Sequence, residues 1–415
     1  MKKYCSIGSV MVLCLLLFTG CGDVGKSLPT VEISLWCDEG NVDLLEEELA
    51  EFQEQHEDEA VFDFRISIEG VDTCKEVILA DPTAAADIFL FADDQFESLY
   101  QNETLLNITR HQDEIIENVG GVDSGAANAV LRNGELYAAP ITAGNGYFLY
   151  YNKAYFSEDD VKTLDNILEI AANNEKLFAM DYSSGWYIYS FFKGAGLELN
   201  CIDDGKTNIC NWNATDTEYT GVSVAEAMLN IANNEGVLNC TDDGFISGVK
   251  DGSIIAGING AWNASTVESA WGEDYAATML PTYTLCGDQV QMCSFTGYKL
   301  LGINAYTAEP DYCMELVYFL SNEENQLKRF ALTGECPANI HAASGEDVQS
   351  APAVAALAMQ SQYGYVQSVA DPYWAPASKL GIVLASGNRD NRDLQELLDE
   401  VQKAIVTPAE DRSGE

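Results

Sequence analysis

The stretch VEISLW, residues 31–36, decides the fold, because its apolar side chains predict a buried first strand. Residues 42–57 follow with apolar positions at helical spacing in a strongly acidic segment, and residues 62–68 then alternate as a second strand does. A third apolar run at residues 88–91 ends in two aspartates. This order of strand, helix and strand predicts an α/β domain with a parallel sheet.

A second unit with the same alternation follows. Apolar runs predict further strands at residues 136–141, 147–151, 177–180 and 254–258. Helical spacing predicts helices near residues 187–193 and 224–234, and a mainly helical remainder with apolar positions at Leu316, Phe319, Leu320, Leu394, Leu397, Leu398 and Val401. The chain is long enough for two sizeable α/β domains, each with its own core.

The first twenty-one residues have the order of a secretory signal. A basic start is followed by an apolar run at residues 10–18 and by small residues before Cys21. The placement of Cys21 resembles a bacterial lipobox, in which a signal peptidase cuts before a cysteine that carries lipid. The apolar run is well short of the roughly 20 residues that a membrane span needs.

We therefore predict that residues 1–20 are a lipoprotein signal peptide and that Cys21 carries a diacylglyceryl or palmitate anchor. Residues 21–30 are then a polar tether. The rest of the chain is predicted to be extracytoplasmic, anchored to the outer face of the cell membrane, and residues 408–415 are predicted to be a disordered tail.

Composition and charge limit the class of partner. The chain is 47% hydrophobic with a formal net charge of -45, which becomes -47 once Lys2 and Lys3 leave with the signal. This excess of negative charge opposes binding to nucleic acid and to anionic surfaces, whereas the binding of a neutral small molecule is unaffected. We expect a globular monomer with a small-molecule ligand and no nucleic-acid partner.

The cysteines leave their pairing open. Cys201 with Cys210, and Cys286 with Cys293, have the spacing of small disulfide loops, and buried free thiols are the alternative. No CxxC spacing occurs and the three histidines lie far apart, so we predict no metal site and no cofactor. Besides Cys21, the mature chain holds nine cysteines, Cys37, Cys74, Cys201, Cys210, Cys240, Cys286, Cys293, Cys313 and Cys336.

Polar and aromatic residues follow several predicted strands. In open α/β sheets, ligands bind beyond the carboxyl ends of the strands. Aromatic faces beside carboxylates and amides suit a sugar, whose C–H faces lie against the rings while its hydroxyls donate to Asp and Asn. Taken singly, each aromatic could equally fill a core. The candidate ligand-binding residues are Trp36, Asp38, Asp94, Gln95, Asn145, Tyr147, Asp181, Trp186, Tyr187, Trp262, Tyr373 and Trp374.

Catalysis fits the sequence poorly. It contains no GxSxG, HExxH or comparable motif of nucleophile and base. A pair drawn from Asp38, Asp94 and Asp181 could hydrolyse a glycoside. In a chain with 66 acidic residues, however, pairs of carboxylates carry almost no information. We therefore predict that the protein is not an enzyme and has no catalytic residues.

At these residues the chain resembles the extracellular solute-binding proteins of ABC importers, in particular the maltose/maltodextrin-binding branch. The resemblance covers most of the mature chain. Its sharper parts are NGELYAAP at 133–140, YNK at 151–153, NGAW at 259–262, MLPT at 279–282 and GIN at 302–304.

The resemblance implies a periplasmic-binding-protein-like fold of two α/β lobes, each a mostly parallel sheet flanked by helices. The chain would cross the hinge between them three times, near residues 140–143, 281–283 and 321–325. The lobes close on a ligand that contacts both, and the closed form docks on an ABC permease. The implied N-terminal lobe is 31–140 plus 284–322, and the C-terminal lobe is 141–283 plus 323–407.

Some positions match the family pattern directly. Asp94 matches an aspartate that accepts hydrogen bonds from sugar hydroxyls. Trp262 and Trp374 match two aromatic platforms, and Trp186 with Tyr187 falls in a third aromatic cluster. The resemblance thus implies stacking residues together with at least one carboxylate acceptor.

Other positions depart from that pattern. Gln95 stands where maltose proteins often carry arginine, and Asn145 stands where a carboxylate is common. Asp38 and Glu39 replace a segment that often carries lysine. These departures argue against maltose itself but not against an oligosaccharide.

The leading interpretation is a lipid-anchored receptor that delivers a neutral carbohydrate, a maltodextrin or another oligosaccharide, to its permease. Two alternatives stay open at this point. One is a surface glycoside hydrolase. The other is a binding protein for a non-sugar solute such as a polyamine, since aromatic boxes also hold cations.

Overall fold

The computed structural model describes residues 28–202 and 206–408. The predicted signal peptide, the anchor at Cys21, most of the tether and residues 409–415 of the predicted tail lie outside the described residues. Within the described parts of the chain, no helix is long and apolar enough to cross a membrane.

The strands form two five-stranded sheets and several small two-stranded ones. In chain order they are β1 Thr30–Cys37, β2 Val61–Ile68, β3 Ile88–Ala92, β4 Leu131–Arg132, β5 Glu135–Leu136, β6 Ala138–Ala143, β7 Tyr147–Asn152, β8 Leu177–Met180, β9 Leu199–Cys201, β10 Asn208–Cys210, β11 Val237–Asn239, β12 Ile254–Gly260, β13 Tyr275–Thr278, β14 Thr282–Leu285, β15 Asp288–Gln291, β16 Ser294–Thr296, β17 Tyr298–Ile303 and β18 Gly364–Val366.

The helices pack on the two large sheets. They are α1 Val42–Gln55, α2 Cys74–Ala80, α3 Phe96–Gln101, α4 Gln112–Asn118, α5 Gly125–Val130, α6 Leu164–Asn173, α7 Gly185–Gly194, α8 Gly221–Ala232, α9 Asp242–Asp251, α10 Ala264–Trp271, α11 Pro310–Leu320, α12 Glu323–Thr333, α13 Ile340–Ala343, α14 Glu346–Ser350, α15 Pro352–Gln360, α16 Trp374–Ala385 and α17 Leu394–Val406.

The first sheet has the order β2-β1-β3-β17-β6, and the second has the order β11-β8-β12-β7-β13. The predicted strands at residues 31–36, 62–68 and 88–91 are confirmed as β1, β2 and β3. The predicted helix at residues 42–57 is confirmed as α1. An α/β fold is therefore correct, and the apolar periodicity located its elements.

The prediction of mostly parallel sheets is wrong in detail, since both sheets are mixed. In the first sheet β1 pairs in parallel with β2 and β3, whereas β17 pairs antiparallel with β3 and β6. In the second, β8 pairs in parallel with β11 and β12, whereas β7 pairs antiparallel with β12 and β13. β7 follows β6 of the other sheet and β17 follows the short strand β16, neither through a crossover helix, so nothing forces them to run parallel.

The antiparallel strands still serve the same edge of each sheet. β17 begins where β3 ends, with Lys299 opposite Ala92, and β7 begins where β12 ends, with Tyr147 opposite Gly260. Strand beginnings and strand ends therefore meet at one edge. This edge of each sheet carries the side chains described below.

The chain passes directly between the sheets where β6 is followed by β7, with only residues 144–146 between them. Gln326 of α12 donates to the carbonyl of Pro140 at 3.2 Å and to that of Ser321 at 2.8 Å. This side chain ties together two of the segments predicted to be hinge crossings. The lobe boundaries themselves stay a prediction.

Each large sheet has a separate apolar core. One core contains Ile33, Leu35, Phe89 and Phe91, and the other contains Phe178, Phe192 and Trp212, all buried. Cys210, Cys286 and Cys293 carry free thiols, so neither candidate disulfide loop is closed. Burial raises the pKa of Cys210 to about 12 and that of Cys293 to about 11, and such buried thiols are inert.

Candidate functional site

The side chains at the facing edges of the two sheets meet, and we call the region where they meet the inter-sheet site. One side of it follows the second sheet. Its aromatic residues, which we call the aromatic wall, touch one another in a continuous series: Tyr147, Trp186, Tyr187, Phe295, Tyr373 and Trp374.

The aromatic wall is packed tightly enough to fix its rings. Trp186 lies 5.8 Å from Tyr147 and 5.3 Å from Phe295, measured between ring centroids. Tyr373 lies 4.9 Å from Trp374 and donates from its hydroxyl to the carbonyl of Gly185 at 2.6 Å. Ring pairs at such separations are favourable beyond their area of contact.

The members of this wall differ in exposure. Tyr147 and Tyr373 are fully buried and Tyr187 is buried, whereas Trp186 and Trp374 are half-buried. In the described conformation Tyr147 and Tyr373 therefore support the tryptophans from behind rather than offering free ring faces. Phe295 is a member that sequence reasoning missed, because a phenylalanine in a short strand gives no signal of its own.

Trp262 follows the last residue of β12 and is half-buried. Its indole Nε1 donates to Asp242 Oδ2 at 3.0 Å, and the amide of Asn263 donates to the same oxygen at 3.0 Å. A methyl group on Gly260 would lie 2.0 Å from Trp262 Cζ3, so only glycine permits this ring position. The NGAW segment thus places an aromatic ring and fixes its orientation.

A small cavity of about 10 Å³ is lined in part by Asp242, the hydrogen-bond partner of Trp262. Asp181, Tyr187 and Asn259 line it together with Asp242. The Tyr187 hydroxyl donates to Asn259 Oδ1 at 3.3 Å, and Asp181 accepts from the backbone N–H of Ser183 at 2.8 Å. Asp181 and Tyr187, which were predicted site residues, therefore line the same cavity as Asp242 and Asn259, which were not.

The other side of the site follows the first sheet and is charged. We call Asp38, Lys75, Asp93, Asp94 and Lys299 the charged wall. Burial raises the pKa of Asp94 to about 7, with Lys75 opposing the rise and Asp371 adding to it. Burial also raises the pKa of Asp38, against the lowering effect of Lys299. A carboxyl that titrates near neutrality can accept or donate hydrogen bonds.

Gln95 is placed differently from its neighbour Asp94. It is buried and donates to the carbonyl of Val71 at 2.7 Å, and the thiol of Cys74 lies 3.6 Å from its Oε1. Gln95 therefore holds the start of α2 in the described conformation. Trp36 is half-buried against the first core, and Asn145 donates its backbone N–H to Gly297 at 2.8 Å between the two sheets.

Two lysines that sequence reasoning missed reach across the site. The ammonium of Lys299 lies 2.5 Å from Glu335 and 5.6 Å from the ring centroid of Trp262. Lys75 of α2 pairs with Asp371, which precedes Tyr373 and Trp374. With only 21 basic residues in the chain, a lysine inside the apolar strand β17 was a usable signal. The contacts of Lys299 with Trp262 and of Lys75 with Asp371 join the charged wall to the second-sheet side.

The arrangement is suited to binding a polyhydroxylated ligand. It offers half-exposed indole faces, carboxylates and amides, which together match apolar ring faces and hydroxyl groups. Within residues 28–202 and 206–408, no group of three or more His, Cys, Asp or Glu side chains has the arrangement of a metal site.

Known proteins resemble the chain in sequence and in fold. A family model for bacterial extracellular solute-binding proteins matches residues 49–356. The galactooligosaccharide-binding protein of Bacillus subtilis (strain 168) is 22% identical over 439 aligned positions, which cover 98% of each chain.

Solved structures extend the similarity to the fold. A protein solved with acarbose is 27% identical, has a TM-score of 0.78, and the match covers 92% of this chain and 99% of that one. The maltodextrin-binding protein of L. casei BL23, solved without ligand, is 23% identical with a TM-score of 0.73, covering 91% and 99%. The second of these likenesses concerns the fold alone.

Proposed function

The chain belongs to the family of bacterial extracellular solute-binding proteins, and on this premise we propose that its inter-sheet site binds a neutral oligosaccharide for an ABC importer. The proposal rests on the position of Trp262. Its half-exposed indole is fixed by a hydrogen bond to Asp242 and fits because Gly260 has no side chain. A ring held in this way loses little entropy when a sugar stacks on it. The names of two similar proteins, a galactooligosaccharide-binding protein and a protein solved with acarbose, support the same ligand class.

We propose distinct roles for the predicted residues. Trp186, Trp262 and Trp374 would stack on sugar rings, and Asp38, Asp94, Asp181 and Asn145 would accept hydrogen bonds from hydroxyls. Tyr147, Tyr187, Tyr373 and Gln95 would hold these groups in place, and Trp36 would border the site. Their half-buried or buried positions support this division.

Transport requires the protein to close on its ligand. The proposed N-terminal lobe, 31–140 plus 284–322, holds the first sheet, and the proposed C-terminal lobe, 141–283 plus 323–407, holds the second. A ligand contacting both lobes would shift the population toward the closed form. That form would then dock on the permease.

We also propose that Cys21 carries the lipid that tethers the receptor to the cell membrane. Two acyl chains suffice for stable attachment, and tethering raises the local concentration of receptor at the permease. The family supports the extracytoplasmic location. Metabolic labelling with a radioactive fatty acid should mark the wild-type protein and not a Cys21→Ser variant.

Calorimetric titration of the protein from residue 31 onward tests the ligand class. We expect heat of binding with maltotetraose or with a galactooligosaccharide, and intact oligosaccharide afterwards by chromatography. Shortened chains would identify a hydrolase instead.

A cationic solute is the second candidate, favoured by the carboxylates of the charged wall and by Asp181 and Asp242. The same titration with spermidine distinguishes the two. Heat with spermidine alone would replace the sugar by a polyamine.

A further inference from the structure

The contact between Lys75 and Asp371 joins elements that belong to different sheets. Lys75 lies on α2 beside the first sheet, and Asp371 lies in a short 3-10 helix just before α16, beside the second. The two residues are 296 positions apart in the chain. This ion pair therefore exists only when the two sides of the site approach each other.

Both ends of the pair stand on fixed supports. The α2 end is held by Gln95, which donates to Val71, and by the buried Cys74. The Asp371 end is held by the Tyr373 hydroxyl and by Asn208, whose Oδ1 accepts from the N–H of Ala370 at 2.7 Å. Side chains on rigid supports lose less entropy when they pair.

The two partners differ strongly in exposure. The side chain of Lys75 is 6% exposed, whereas that of Asp371 is 58% exposed. A buried ammonium that loses its partner keeps its desolvation cost, while an exposed carboxylate that loses its partner is simply hydrated. The Lys75 ammonium also lies 3.3 Å from Glu76, which is well exposed.

We infer that Lys75 and Asp371 form an inter-lobe latch, a pair of positioning residues that keeps the site closed around its ligand without needing to touch it. This inference rests on the proposed function, since it requires that the two sides close on a ligand. Burial lowers the pKa of Lys75, and Asp371, with Glu76 and Asp94, more than offsets this so that the pKa is raised overall, which agrees with a charged lysine.

The asymmetry in exposure gives the latch a signature that a direct ligand contact lacks. Asp371→Asn leaves the buried Lys75 with only the exposed Glu76 within ion-pair distance, so the closed form should be destabilised. Lys75→Met removes the buried charge and leaves Asp371 hydrated, so it should weaken affinity less than Asp371→Asn does, although it also removes the cation that lowers the pKa of Asp94. The double variant should then resemble Lys75→Met rather than Asp371→Asn.

The test is a double-mutant cycle on affinity for maltotetraose, with dissociation rates from stopped-flow tryptophan fluorescence. We expect Asp371→Asn to weaken affinity about tenfold or more, through faster dissociation and an unchanged association rate. Lys75→Met in the Asp371→Asn background should recover most of that loss. An exposed pair, Lys162 with Asp159, is the matched control, and its variants should leave affinity unchanged.

Two results would overturn the latch. If Asp371→Asn binds maltotetraose as tightly as the wild type does, the pair does not hold the closed form. If the double variant binds maltotetraose as weakly as Asp371→Asn does, Asp371 acts on the ligand directly.

If the wild type binds no oligosaccharide, the proposed function fails, and the latch is decided by small-angle scattering instead. Asp371→Asn should then have a larger radius of gyration than wild type, with the double variant in between. Identical radii of gyration for all three proteins would contradict the proposed latch, whether or not a ligand binds.

Discussion

The aromatic wall and the charged wall face each other across the inter-sheet site, and they are held in place by different forces. Ring packing fixes the aromatic wall, where Phe295 and Tyr189 stack with their ring centroids 3.7 Å apart. The charged wall has contacts across the site, since Lys75 pairs with Asp371 and the ammonium of Lys299 lies 5.6 Å from the ring centroid of Trp262. The aromatic wall is therefore held by contacts within its own side of the site. The charged wall gains some of its contacts only when the two sides meet.

This difference assigns separate tasks to the walls. A wall that is rigid before binding supplies affinity, because its rings need no reorganisation. A wall whose charges are paired across the site links ligand capture to the relative position of the two sides. The predictions below test this division, from the largest expected effect to the smallest.

Trp262→Ala should weaken the affinity for maltotetraose about 100-fold, because a fixed aromatic anchor is the kind of residue that dominates binding energy. Trp262→Phe keeps a ring but loses the hydrogen bond to Asp242, so an intermediate loss is expected. Calorimetric titration measures both. Tyr306→Ala, an exposed aromatic elsewhere, is the control and should bind normally. Normal affinity in Trp262→Ala would remove this ring from the site.

Two glycines also leave room for side chains of the site. A methyl group on Gly260 would lie 2.0 Å from the Trp262 ring, and one on Gly297 would lie 2.3 Å from Asp93 Oδ1. We expect Gly260→Ala to weaken binding about tenfold by displacing the ring. Gly297→Ala should lower the free energy of unfolding by about 1–3 kcal/mol, because Asp93 Oδ1 is a buried atom with little room to move.

Gly40 provides the control for both glycine variants, since a methyl group there would meet no atom within 4 Å. Gly40→Ala should leave affinity and stability nearly unchanged. Affinity is measured by calorimetry and stability by chemical denaturation. If Gly260→Ala binds as well as Gly40→Ala, the Trp262 ring is not held in the way described.

The charged wall should show its burial through pH. Because the pKa of Asp94 is raised to about 7 in the folded protein, the folded state binds this proton more tightly than the unfolded chain does. The group therefore costs little at pH 4, close to the unfolded value of 3.8, and its cost grows as pH rises to about 7. We expect Asp94→Asn to match the wild type at pH 4 and to exceed its free energy of unfolding by about 1 kcal/mol or more at pH 8.

Denaturant unfolding at several pH values measures this difference. Asp159→Asn, whose carboxylate is 87% exposed, should show no such pH-dependent gain. A constant gap between Asp94→Asn and wild type from pH 4 to pH 8 would contradict the raised pKa of Asp94.

Sequence patterns predicted where strands and helices lie better than they predicted how the strands pair. Apolar periodicity predicted β1, α1, β2 and β3, because burial of one face imposes a period that the sequence repeats. It did not predict strand direction, since β17 and β7 carry the same apolar pattern whichever way they run. The mixed character of both sheets followed only from which strands became neighbours.

The candidate site shows the same limit. Placement after predicted strands singled out Asp94, Asp181, Trp186 and Trp262, because strand ends share an edge. It could not show that Tyr147 and Gln95 point inward, since both flank the same edge as the exposed residues. The disulfide spacings were equally uninformative, because loop length does not decide whether two thiols meet.

By itself, the sequence determined that this is an α/β chain, where its strands and helices lie, and which motifs relate it to solute-binding proteins. These properties are local or periodic, so they are written in neighbouring residues. Only the tertiary structure decided that Lys75 meets Asp371 and that Lys299 lies between Glu335 and Trp262. Such contacts join residues far apart in the chain, where no repeating pattern links the partners, and their strength depends on burial that only packing creates.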